Sequence, residues 1–149
     1  LRIRLECLSR CLWGEVMKVK DIVVREIEKI KPDASVFEAV EIMLEKGIRA
    51  LIVEPQSERD TYGVITVRDI VFKAVVKGLE LDDIKVAEIA SKPLVCIDGS
   101  WEIMHAAKLM ANLNLARLAV TEGGEIIGMV SLMDIMKVYH CCPHVLKLS

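Results

Sequence analysis

The chain has 149 residues, of which 20 are Lys or Arg and 22 are Asp or Glu; 53% are hydrophobic and only 4% aromatic. So much aliphatic material excludes a disordered tail and suffices for one compact domain or two small packed halves, with no need of disulfides. A net charge of −2 without a run of cations excludes the footprint of unspecific duplex binding, and no apolar stretch approaches the ~20 residues of a membrane span.

In chain order, the run Leu1 to Val16 carries Arg2, Arg4, Glu6 and Arg10, which break any secretory apolar segment. We therefore expect a cytoplasmic protein, with Met17 a candidate natural start. Five cysteines, Cys7, Cys11, Cys96, Cys141 and Cys142, are an odd number, which favours reduced thiols over a bridge framework.

From Met17 onward the chain reads as one unit written twice. A fixed shift superimposes Lys18, Val19, Ile22, Ile30, Ala39, Met43, Leu51 and Val53 on the identical Lys85, Val86, Ile89, Ile97, Ala106, Met110, Leu118 and Val120. The loop Glu54–Tyr62 is two residues longer than Thr121–Ile127; beyond it Gly63, Asp69 and Ile70 match Gly128, Asp134 and Ile135. Residues 1–16 then form an N-terminal extension, 17–78 the first repeat, 84–140 the second and 141–149 a C-terminal tail.

In the first repeat, Ser35 with Glu38 fits a capping box that opens a helix carrying Val36, Val40, Met43 and Leu44 at helical spacing, and Gly47 closes it. The short apolar runs Ala50–Val53 and Gly63–Thr66 read as buried strands. A second helix spans about Arg68 to Lys77 and ends at Gly78. The second repeat predicts a helix over Glu102–Leu113, strands at Leu118–Val120 and Ile127–Val130, and a last helix from about Met133 to His140. Each unit is β-α-β-β-α, of the α/β (α+β) class, preceded by Met17–Val24 or Lys85–Ile89. At this size neither unit buries much alone, so the copies are expected to pack sheet to sheet with pseudo-two-fold symmetry and two equivalent clefts. Surplus apolar residues, Phe72, Val76, Met136 and Tyr139 among them, predict a homodimer.

Gly63 to Ile70 and Gly128 to Ile135 share one pattern: glycine, two apolar residues, a hydroxyl, two variable residues, aspartate, isoleucine. Two readings fit it. A hydroxyl at a strand end beside a helix N-terminus suits a phosphate, and a carboxylate one turn later can accept both hydroxyls of a ribose. The same spacing is also a helix capping box that satisfies its own backbone.

The span from Met17 to about His140 resembles a tandem pair of CBS domains, the regulatory repeat named after cystathionine β-synthase. The resemblance rests on the doubled element order, the openings Val19 to Ile22 and Val86 to Ile89, the segments Gly47–Val53 and Leu115–Val120, and both hydroxyl-x-x-aspartate motifs. It implies a regulatory module, not an enzyme, whose clefts bind an adenosine ligand (AMP, ADP, ATP or S-adenosylmethionine) on behalf of a partner protein not identified by the sequence. No cofactor is required. By the same resemblance one cleft uses Asp134 for the ribose and Ser131 for the phosphate, with Ala116 and Arg117, completed by Ile22, Val23, Ile48 and Arg49. The mirror cleft uses Asp69, Thr66, Arg68, Arg49 and Ala50, completed by Ile89, Ala90, Leu115 and Ala116. Two arginines furnish this cleft better than Arg117 alone furnishes the other. Where many members have a proline before the last valine of the strand, this chain has Ile52 and Ala119. Replacing either aspartate by alanine is expected to weaken binding and leave the fold little changed.

Two alternatives stand beside this reading. One is a ligand-free dimerisation scaffold in which both motifs only cap helices. The other is a metal or redox protein built on Cys7, Cys11, His140, Cys141, Cys142 and His144. His105 reads as a surface or internally satisfied histidine, and Trp13 and Trp101 as packing residues. The sequence offers no nucleophile triad, phosphate-binding glycine loop or dinucleotide fingerprint.

Overall fold

The structure, a computed structural model, describes residues 17–141. It resolves into two compact units that do not follow the chain's midpoint: residues 27–94 form one, and residues 17–26 together with 95–141 form the other.

In the unit of residues 27–94, β1 (Lys29–Ile30), β2 (Ala50–Val53) and β3 (Gly63–Thr66) form a sheet in that order. β1 runs parallel to β2, and β2 antiparallel to β3 with Ala50 opposite Thr66 and Val53 opposite Gly63. The crossover between the parallel pair is α1 (Val36–Lys46), whose N-cap Ser35 accepts the Glu38 N–H at 3.1 Å. Gly47 ends it in the left-handed conformation, φ 63°, which costs a residue without Cβ little. α1 lays Val36, Ala39 and Met43 on Leu51, Val53 and Ile65. The helix after β3 begins as α2 (Val67–Ile70) and widens into a π turn over Val71–Val75. A short helix, α3 (Val86–Ile89), follows, and Ser91 beyond it exchanges both backbone bonds with Val64 at 2.8 and 2.9 Å.

The other unit repeats the plan. β4 (Cys96–Asp98) lies parallel to β5 (Arg117–Glu122), and β5 antiparallel to β6 (Glu125–Ser131). These two strands extend further than the apolar runs suggest, because hydrogen bonding continues into Thr121, Glu122 and Glu125, where the side chains are polar. α4 (Ile103–Leu113) crosses between β4 and β5, and α5 (Leu132–Cys141) follows β6. The piece taking the place of α3 here is the 3-10 turn Val19–Asp21, after which Val24 exchanges both backbone bonds with Met129. Met17, Val19 and Ile22 are thus core residues of the second repeat's sheet, and Val86 and Ile89 of the first's. The opening segment of each repeat is built into the other repeat's unit.

Gly128 shows how close that association is. A Cβ there would stand 2.3 Å from the Val24 carbonyl oxygen and 2.6 Å from Val23 Cγ2. At Gly63 the same atom would meet Ser91 O and Lys92 Cγ at 3.0 Å. Ile52 and Ala119, the two positions at which the resemblance led to an expectation of proline, are both fully buried. Trp101, by contrast, is not a core residue: it is 43% exposed and stands edge-on to His105, ring centroids 6.5 Å apart.

Candidate functional site

Both hydroxyl-x-x-aspartate motifs sit where a strand turns into a helix, and both form the reciprocal capping box. In the unit with β6, the Ser131 N–H and hydroxyl both donate to Asp134 Oδ2 at 2.8 Å, and the Asp134 N–H donates to Ser131 Oγ at 3.3 Å. In the other unit the Thr66 N–H and hydroxyl donate to Asp69 Oδ2 at 2.9 and 2.8 Å, and the Asp69 N–H donates to Thr66 Oγ1 at 3.2 Å. Each hydroxyl therefore spends its only proton on its own acid.

The second oxygens differ. Asp69 Oδ1 receives the Lys73 ammonium at 2.9 Å and the Ser91 hydroxyl at 3.3 Å. Lys73 also donates to the Ile89 carbonyl at 2.8 Å. Asp134 Oδ1 takes no bond from the described residues, although Asp134 is only 9% exposed and is the one charged residue among them that is buried.

The remaining residues of the expected sites fall into the same two groups. Beside Asp134, Arg117 pairs with Ser131 across the sheet and the Ala116 carbonyl accepts the Leu132 N–H at 2.9 Å. Ile22 and Val23 run along the end of β6, Ile22 buried and Val23 packed on the core, while Leu115 is half-buried. Beside Asp69, the Arg49 carbonyl accepts the Val67 N–H at 3.1 Å and Ala50 pairs with Thr66. Ile48 and Ala90 are half-buried there and Ile89 buried. The Arg68 guanidinium lies over the Phe72 ring, 5.1 Å from its centroid. A surface groove of about 560 Å³ runs past Lys73, Gly78, Glu88 and Ile89 in this unit.

Lys73 and Ser91, the partners of Asp69 Oδ1, were not singled out from the sequence. The signal was available for Lys73, since Asp69 and Lys73 are spaced to pair along one helix face. Cys7, Cys11, Cys142 and His144, and with them most of the metal alternative, lie outside the described residues, as do Trp13 and the extension 1–16. Among the described residues no cluster of three His, Cys, Asp or Glu side chains could hold a metal, and no helix is long and apolar enough to cross a membrane. Burial pushes the Cys96 thiol above its usual range.

Burial raises the Asp69 carboxyl, but the Lys73 ammonium and the Thr66 hydroxyl and N–H outweigh it and hold the group below its ordinary value of 3.8. Asp60 is lowered to about 2 by the Gln56 N–H, the Lys92 ammonium and the Thr61 N–H. A carboxylate depressed on folding contributes stability above its unfolded pKa and loses it as pH falls through the folded one. Melting temperature is accordingly expected to drop between about pH 4 and pH 2, and Asp69→Asn to flatten that drop. A melting curve level across this window would contradict the assignment.

The family pattern described as the CBS domain matches residues 19–75 and again 86–141. An uncharacterized protein of Methanopyrus kandleri is 28% identical over 123 residues, 82% of this chain and 62% of that protein. The CBS domain-containing protein YhcV of Bacillus subtilis is 26% identical over 117 residues, 78% of this chain and 81% of that one. The crystal structure of a hexameric CBS-CP12 protein from bloom-forming cyanobacteria superimposes with a TM-score of 0.77 at 35% identity, covering 81% of this chain and 67% of that one. The chain spans 62% and 59% of the lengths of two archaeal relatives it matches.

Proposed function

Because this chain belongs to the CBS-domain family, whose regulatory, non-catalytic repeat it carries twice, we propose that it binds an adenosine-containing ligand and passes its occupancy to a partner protein by a shift in packing. The observation that carries the ligand reading is Asp134. It is a buried carboxylate at a strand-to-helix junction with one oxygen committed to its helix cap and the other open. An acceptor with two lone pairs available suits the hydroxyls of a ribose. On this reading the Ile22–Val23 backbone meets the base edge and Arg117 the phosphate. Ser131 would have to surrender its bond to Asp134 to serve as a phosphate donor. Calorimetry with AMP, ADP, ATP and S-adenosylmethionine is the direct test: at least one binds the parent, and none binding would refute the proposal.

The reciprocal capping bonds favour a second reading, the ligand-free scaffold, in which the acids serve only their own helices. The two readings part on Asp134 variants, treated in the Discussion.

We further propose that the protein forms a homodimer in the cytoplasm. The helix after β3 exposes Phe72 and Val76, and α5 exposes Met136 and Tyr139, each at least half exposed; apolar faces of this kind are surfaces that partners cover. The free thiol of Cys141 suits a reducing compartment. Val76→Glu combined with Met136→Glu is expected to convert the dimer to a monomer in light-scattering chromatography. An unchanged mass would place the interface elsewhere.

A further inference from the structure

We propose that the chain closes one of its own two ligand corners: Lys73 and Ser91 occupy the acceptor positions of Asp69 that a ribose would need, so that a single competent site, built around Asp134, remains in each chain. This rests on the adenosine reading above and adds to it which repeat binds.

A carboxylate offers about four acceptor positions, two on each oxygen. At Asp69 all four are taken: Oδ2 by the Thr66 N–H and hydroxyl, Oδ1 by the Lys73 ammonium and the Ser91 hydroxyl. The same ammonium caps the Ile89 carbonyl at 2.8 Å, the backbone group beside the corner. An incoming diol would therefore have to break a charge-assisted bond to gain one. At Asp134 the cap uses Oδ2 in the same way, but no described residue uses Oδ1.

The difference is written in the repeat register. The shift that carries Asp69 onto Asp134 carries Lys73 onto Val138, and the shift that carries Ile22 onto Ile89 carries Val24 onto Ser91. Both donors that close the first corner are valines in the second. Val138 is fully buried in the core of its unit, and Val24 spends its backbone on Met129, so neither side chain offers Asp134 a proton. Two independent positions thus differ in the same sense, which a single surface ion pair would not explain. Lys73 remains 43% exposed, so its removal opens the corner without leaving a core cavity.

The experiment titrates AMP, ADP, ATP and S-adenosylmethionine, run separately, into the parent, Lys73→Met, Asp134→Ala and the double variant, with stoichiometry read by calorimetry and folding by thermal melting. We expect one ligand per chain for the parent, two for Lys73→Met, one for the double variant, and binding weakened at least about tenfold for Asp134→Ala. Lys73→Gln, which keeps a polar chain without the charge, carries the same expectation should the methionine variant melt early. Two equal sites in the parent, or one site in folded Lys73→Met and Lys73→Gln alike, would overturn the closure and leave the adenosine reading intact. No binding of any of the four ligands to any variant would remove both.

Discussion

Gly128→Ala is expected to destabilise the protein by about 3 kcal/mol or more, whereas Gly63→Ala at the equivalent position costs under about half of that. The new methyl carbon at position 128 would lie 2.3 Å from a backbone oxygen, well inside contact distance, and backbone cannot rotate away as a side-chain tip can. Relief requires the Val24 segment to leave β6, which gives up its two bonds with Met129 at 2.9 and 3.0 Å. At roughly 1 kcal/mol each, these two bonds alone account for much of the cost. The rest comes from loosening Val19 and Ile22, which are 0% and 3% exposed in the core. At Gly63 the nearest atoms stand at 3.0 Å and one of them belongs to the flexible Lys92 side chain, so a shift of a few tenths of an ångström suffices. Parallel thermal melts of the two variants decide the matter. If Gly128→Ala melts no earlier than Gly63→Ala, the close approach of the 22–24 segment to β6 is wrong. That outcome would also remove the Ile22–Val23 backbone from the ligand corner.

Asp134→Ala is expected to weaken the adenosine ligand by about ten- to hundredfold, the effect of losing a hydrogen bond to a charged acceptor worth ~1.5–3 kcal/mol. The structure corrects the accompanying expectation that the fold would barely notice. Two bonds into Asp134 Oδ2 vanish with the side chain, and the Ser131 N–H and hydroxyl are left half-buried without their acceptor. A further loss of about 1–3 kcal/mol in stability follows. Affinity must therefore be measured well below the variant's own melting range. Asp134→Asn separates the two roles: it keeps the shape and one oxygen for the cap but removes the charge that a diol would meet. Parent-like affinity in both variants, combined with earlier melting, would leave the acid as a helix cap and favour the scaffold.

Several parts of this architecture are local, and local features are legible in a sequence. The capping of α1 by Ser35 and Gly47 needs only neighbouring residues, as does the pairing of each hydroxyl with the aspartate three positions on. The duplication is visible because the same side chains recur at core positions: Leu51, Val53, Leu118 and Val120 are all fully buried. The choice between a ribose acceptor and a cap was not legible, because one spacing serves both purposes. The structure shows the cap in both copies and an oxygen to spare in only one. Arg49 and Arg68, counted from sequence as phosphate partners, are exposed, and Arg68 is stacked over Phe72.

By itself the sequence determined that a β-α-β-β-α unit occurs twice, where its helices begin and end, and which residues form the two junctions. Only the tertiary structure decided that Val24 pairs with Met129 and Ser91 with Val64, that Gly128 must be a glycine for the Val24 carbonyl to pass, and that Lys73 spends its charge on Asp69 and Ile89. The physical reason is that main-chain N–H and C=O groups are the same at every residue. A pairing between distant segments therefore leaves little trace in side-chain identity, and which cation reaches which acid depends on where that backbone has been placed.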